Sequence, residues 1–257
     1  MRKLAITISL IFIVFSVGCN KLNSESSSKG RLVMFIGVDI SGSFMKSKNF
    51  KDSLRFLSHY IYGHLHGQGG LEKPNSLFIG SIGGAKANES KTFYPIETFQ
   101  DKSIVQIEKQ LHKIFPRQKI GNPFTDYNAF FGQIQHFVES RKLVMRPISI
   151  VMLSDGIPDT PKKNGKHDYR SLKLKPLENL SRNVTLRLLY TDAVVGTNWQ
   201  TRVPRQRVKV WTQDANVMRY WKARNIMLPG KEIAKQEKFY AWVKSNVDFN
   251  VRLKRVD

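Results

Sequence analysis

Residues 32–38 form an unbroken apolar run, Leu-Val-Met-Phe-Ile-Gly-Val, that stops abruptly at Asp39. A short apolar run bounded by polar residues is the pattern of a strand buried on both faces. The same pattern predicts strands over 76–82, 148–153 and 184–190, a short one over 93–98 at a sheet edge, and a last one over 248–255. Between them the apolar period changes to that of a helix. Leu54, Leu57, Tyr60, Ile61 and Leu65 mark one over 50–66, and Val105, Ile107, Leu111 and Ile114 mark another over 103–115. A third is expected over 125–142, opened by Thr125 or Asp126 as N-cap. Further helices are expected over 172–182, over 212–224 with Val217, Tyr220 and Trp221 on one side, and over 230–246. The segment 192–209 reads as a long loop or hairpin. Alternating strands and helices of this kind predict an α/β fold with a mostly parallel, doubly wound sheet flanked by helices. Ligands in such sheets bind at the carboxyl ends of strands.

The ends of the chain add an address. Met1-Arg2-Lys3 precedes an apolar run over 4–17, then Gly18 and Cys19. A basic start, a short apolar stretch and a small residue make an export signal, and the run is shorter than the roughly 20 residues of a comfortable membrane span. Cys19 is the only cysteine, so no intramolecular disulfide is possible. Its place after Ser16-Val17-Gly18 resembles a bacterial lipobox, with Ser16 where leucine is usual. That resemblance implies a signal over 1–18, lipidation at Cys19 and an exported protein anchored to a bacterial cell membrane. Residues 19–30, rich in serine, read as a flexible tether. One α/β domain is then expected over 31–257.

Charge is large and uneven. The chain carries +22, of which +15 lies in 141–257. A basic half fits an anionic partner such as membrane lipid or an acidic envelope polymer. Arg205, Arg207 and Lys209 alternate with neutral residues as on one solvated strand face. Export, and the lack of zinc-finger spacing or an aromatic RNA-binding signature, argue against nucleic acid.

The candidate chemistry begins where the first strand ends. In Asp39-Ile40-Ser41-Gly42-Ser43, a carboxylate and two hydroxyls occupy alternate positions and share a face on extended backbone. An oxygen-only cluster suits a hard cation such as magnesium. Asp155 follows the apolar run 148–153 in the same way, and Thr125 stands at a helix start. Taken singly, each piece has a plain structural reading: a capped turn, an N-cap, a tight turn.

Together, Asp-x-Ser-x-Ser, then a threonine, then an aspartate resemble the von Willebrand factor A domain and its metal-ion-dependent adhesion site, over about residues 31–190, with a looser match over 191–257. The resemblance implies Mg2+ or Mn2+ bound by Ser41 and Ser43. Thr125 would bind directly or through water, and Asp39 and Asp155 mainly through water. It implies a protein partner that offers an Asp or Glu side chain to the cation, and no enzyme activity. Two alternatives stand beside it. One is an electrostatic envelope-binding module with a structural metal. The other is a metal-dependent phosphatase, since Ser154-Asp155-Gly156-Ile157-Pro158-Asp159 resembles a haloacid dehalogenase metal motif. That chemistry needs a second carboxylate two residues after Asp39, where this chain has Ser41. His59, His64 and His66 read as incidental surface residues. Trp211, Tyr220, Trp221 and Trp242 read as core packing in preference to a binding patch.

Overall fold

The computed structural model describes residues 31–86, 89–117, 124–160, 162–163 and 165–248. The apolar run at 4–17, Cys19 and the tether lie outside the described residues, as does 249–255 of the expected last strand.

Six strands make one sheet: β1 (Val33–Asp39), β2 (Ser76–Ile82), β3 (Tyr94–Pro95), β4 (Ile148–Leu153), β5 (Val184–Thr191) and β6 (Lys209–Asp214). Their order is β3-β2-β1-β4-β5-β6, and every pairing is parallel except that of β2 with the edge strand β3. Eight α-helices are present among the described residues: α1 (Gly42–Lys46), α2 (Lys48–His66), α3 (Ile104–Ile114), α4 (Tyr127–Ser140), α5 (Lys175–Glu178), α6 (Ala193–Arg202), α7 (Ala215–Arg219) and α8 (Glu237–Asn246).

Strand geometry sorts the core into two halves. Alternate residues of β1 point to opposite faces. Met34, Ile36 and Val38 enter a cluster with residues of α1, α2, α3, α7 and α8. Val33 and Phe35 enter the other, with α4, α5 and α6. The sheet is therefore covered on both sides, and β1 and β4 are buried at every position. From β1 the chain winds outward to β2 and β3, then returns to β4 on β1's other side. That reversal places a crevice at the carboxyl ends of β1 and β4.

Several expectations change in the second half. Residues 192–209, read as a loop or hairpin, contain α6, capped by Asp192, whose Oδ1 accepts from Val195 N at 2.8 Å. Its apolar positions are few and interrupted by Gly196, so the periodicity was weak. The predicted helix over 212–224 begins as β6 and turns helical only at Ala215. Of Arg205, Arg207 and Lys209, only Lys209 belongs to a strand. The helix expected over 172–182 is reduced to the single turn α5, and the one over 230–246 starts at Glu237. His64 is 3% exposed and enclosed, not on the surface. Trp221 is buried and its Nε1 donates to Asp52 Oδ2 at 3.2 Å, as core packing requires. Tyr220 points outward at 64% exposure.

Candidate metal centre

Asp39 ends β1 with its side chain fully buried, while Ser41 is nearly so and Ser43 is exposed. The three positions thus descend from the core to the solvent at the mouth of the crevice. Asp39 Oδ1 accepts from the backbone N of Ser41 at 2.7 Å, closing a turn that aims both serines the same way. Their hydroxyl oxygens stand 3.2 Å apart. Asp155, just beyond β4, holds its own turn by accepting from Ile157 N at 3.1 Å, and the neighbouring Ser43 hydroxyl favours its ionised form. The structure thus brings Asp39, Ser41 and Ser43 into one hydrogen-bonded group, with Asp155 close enough to act on Asp39 through its charge. The plain turn readings also hold, because one oxygen of each carboxylate is spent on its turn.

Thr125 reaches the same edge by its backbone. Gly84 and Phe124 form an isolated bridge with N–O distances of 3.1 and 3.3 Å, and the Thr125 carbonyl accepts from Asp159 N at 3.3 Å. The approach depends on Gly83, whose φ is +77° and where a Cβ would lie 2.1 Å from the Phe124 carbonyl oxygen. The N-cap of α4 is Asp126, whose Oδ1 accepts from Ala129 N at 2.9 Å. Capping therefore makes no demand on the hydroxyl of Thr125. Among the described hydrogen bonds, none links Thr125 directly to the other four residues.

Sequence reasoning missed the supports. Ser154 Oγ donates to Asp39 Oδ2 at 2.5 Å. With its only proton so used, it accepts from Tyr127 OH at 2.6 Å and from Gly156 N at 2.9 Å. A relay from α4 through the end of β4 thus fixes the carboxylate at the end of β1. Trp199 of α6 donates to the Gly156 carbonyl at 2.8 Å and holds the turn that carries Asp155. Ser154 was visible as the neighbour of Asp155; Tyr127 and Trp199 had no local signal.

Burial, and then the charge of Asp155, push the Asp39 carboxyl up to about 7, against the opposing effect of its hydrogen bonds from Ser154 and Ser41. Burial also raises Asp155. Two carboxylates close together with little water favour a positive charge between them. Among the described residues, no group of three or more His, Cys, Asp or Glu could hold a metal. A cation here would therefore have to draw on the hydroxyls, and the donor set is one of oxygens, which fits magnesium or manganese.

No family model and no curated protein matches the chain. Among solved structures it is similar to the manganese-loaded TRAP protein of Plasmodium vivax, at 15% identity and TM-score 0.44, over 73% of this chain and 70% of that one. It is similar to the SpRpn10 VWA domain at 11% identity and TM-score 0.44, over 84% and 95%. A third is proximal thread matrix protein 1 of the mussel byssus with a zinc-occupied MIDAS motif, at 12% identity and TM-score 0.37, over 83% and 46%. The chain has the expected mostly parallel sheet flanked by helices, in which Asp39 ends β1, Thr125 precedes α4 and Asp155 follows β4.

Proposed function

We propose that this chain is a metal-dependent protein-binding domain in which Mg2+ or Mn2+, held by Ser41, Ser43, Thr125, Asp39 and Asp155, recruits an acidic side chain of a partner. The observation that carries this reading is the meeting of the hydrogen-bonded Asp39, Ser41 and Ser43 with Asp155 at the switch point between β1 and β4. The bound cation would supply a positive, oxygen-seeking centre at the surface. The residues have separable tasks. Asp39 and Asp155 provide negative charge, fixed in place by Ser154 and the Ile157 amide. Ser41 and Ser43 offer neutral oxygens, which leave the centre undersaturated in negative charge and receptive to a carboxylate. Exposed Ser43 stands where a partner arrives. The same layout does not favour hydrolysis, because a general acid or base two residues after Asp39 is replaced by Ser41.

Calorimetry of the full chain with magnesium or manganese tests the reading. Binding is expected, and Asp39→Ala should abolish it; no binding, or binding unchanged by the substitution, refutes the proposal. Export and anchoring through Cys19 to a bacterial membrane complete it, and a mass shift at Cys19 in the mature protein would check that part. A second reading follows from the +15 carried by 141–257. An electrostatic module for anionic lipid or polymer would adhere without metal and release in salt. Pull-downs with chelator and with salt separate the two.

A further inference from the structure

At the end of the sheet opposite Asp39, the starts of β1, β4 and β5 border a cavity of about 480 Å³. Its wall includes His64, Ser149, Thr185, Arg187, Lys244 and Asp248. His64 and Arg187 are more than nine-tenths buried. Charged groups so placed require partners. Arg187 Nε donates to the Val247 carbonyl at 2.8 Å and lies 3.7 Å from Asp248 Oδ1, and Arg187 NH1 donates to Ser149 Oγ at 2.8 Å. Asp248 also accepts from Tyr60 OH at 2.7 Å and stands 3.0 Å from His64 Nε2.

His64 is held at both ring nitrogens. Its Nδ1 lies 2.7 Å from the Glu72 carbonyl oxygen, which only accepts, so Nδ1 carries a proton. Burial would raise the Asp248 carboxyl, but His64, Arg187 and Tyr60 outweigh it and hold Asp248 below its ordinary value, in the ionised form. His64 Nε2 stands against that carboxylate and closes one side of the cavity. The wall thus sets the cations Arg187 and Lys244, with the His64 ring, beside the carboxylates of Asp248 and of exposed Glu72. It is a polar hollow that places two basic side chains beside the hydroxyls of Thr185 and of Ser149, the latter accepting from Arg187.

We propose that this cavity binds a small oxyanion, a phosphate or carboxylate group, through Arg187 and Lys244 with the hydroxyls of Ser149 and Thr185. Arginine has five N–H donors in a fixed fork, which suits such a group. Lys244 is exposed on the wall and adds a mobile charge. The site does not depend on the proposed cation centre, from which it is separated by the length of β1, on the order of 20 Å.

The probe is inorganic phosphate, titrated calorimetrically into the full chain at low ionic strength with and without chelator. A dissociation constant of about 1 mM or tighter is expected, unaffected by chelator. Arg187→Gln would also unfasten Val247 and Ser149, so the test rests on Lys244→Gln and Thr185→Val, each expected to weaken binding about fivefold or more. Lys209→Gln on the edge strand should change nothing. Absent binding, or binding unchanged in both variants, overturns the proposal, the latter because it would reveal only attraction to a basic chain. Vesicles containing phosphatidic acid separate the sources of phosphate. Vesicle binding weakened by Lys244→Gln assigns a lipid headgroup, and vesicle binding unaffected by it leaves free phosphate as the ligand.

Discussion

Replacing Ser154 by alanine tests the idea that the metal centre is held from behind. The hydroxyl joins three partners: it donates to Asp39 Oδ2 and accepts from Tyr127 OH and Gly156 N. Ser154 and Asp39 are both 0% exposed and Tyr127 is 1% exposed, so water cannot easily replace the lost oxygen. A buried donor left without an acceptor costs about 1–3 kcal/mol, and a bond to a charged group is worth about 1.5–3 kcal/mol. The methyl group fits the space, so no cavity cost is added beyond one oxygen. The expected total is about 3 kcal/mol, a large share of the roughly 5–15 kcal/mol that holds a domain together. For a chain of this size that corresponds to a melting temperature lower by about 6–12 °C. Urea unfolding gives the free energy, and cation calorimetry gives the second readout. Asp39 loses a donor that favours its ionised form, so magnesium or manganese should bind more weakly although no cation ligand has changed. Tyr127→Phe removes only the outer donor and should cost about 1 kcal/mol, with cation binding nearly intact. A Ser154→Ala chain within about 0.5 kcal/mol of the parent, with equal cation affinity, would refute the reasoning.

Other outcomes follow from the same geometry. Gly83→Ala places a methyl against the Phe124 carbonyl at a positive φ, so it should destabilise the chain by more than 1 kcal/mol, about the cost of such a backbone conformation, and weaken cation binding by shifting Thr125; titration of the folded variant checks it. Asp248→Asn leaves His64 and Arg187 buried with no carboxylate and should cost about 3 kcal/mol in urea unfolding at neutral pH. The pH sign follows from the lowered Asp248 carboxyl: its stabilisation is present above its ordinary value of 3.8 and is lost as pH falls through the depressed folded value. Asp248→Asn should therefore flatten the acid limb of the stability curve, and an unchanged limb would contradict the assignment. Asp52→Asn weakens the contacts of α2 with Tyr190, Trp221 and Lys222, and should lower the unfolding free energy by about 1–3 kcal/mol in urea without altering cation affinity.

The first half of the chain was the more legible. Strands β1, β2 and β4 lie in the middle of the sheet, covered on both faces, so their burial is written as near-continuous apolar runs. The register and switch point then follow from few alternatives. The second half is written less clearly, for reasons of position. The edge strand β6 is only partly buried at most of its positions, and so it has no continuous apolar run. Helix α6 packs through Val195, Gly196 and Trp199 alone, too few to make a period.

For the site, the sequence by itself determined which oxygens stand at the ends of which strands: Asp39, Ser41 and Ser43 after one apolar run, Asp155 after another, Thr125 before a helix. Backbone periodicity is a local property, and local order is enough to place them at one edge. Only the tertiary structure decided how they are held. The relay from Tyr127 through Ser154 to Asp39 joins residues up to 115 positions apart. The approach of Gly83 to Phe124 and the clasp of His64 and Arg187 on Asp248 likewise join distant segments. Such contacts depend on how two helix layers close over one sheet, and no short stretch of sequence contains that information.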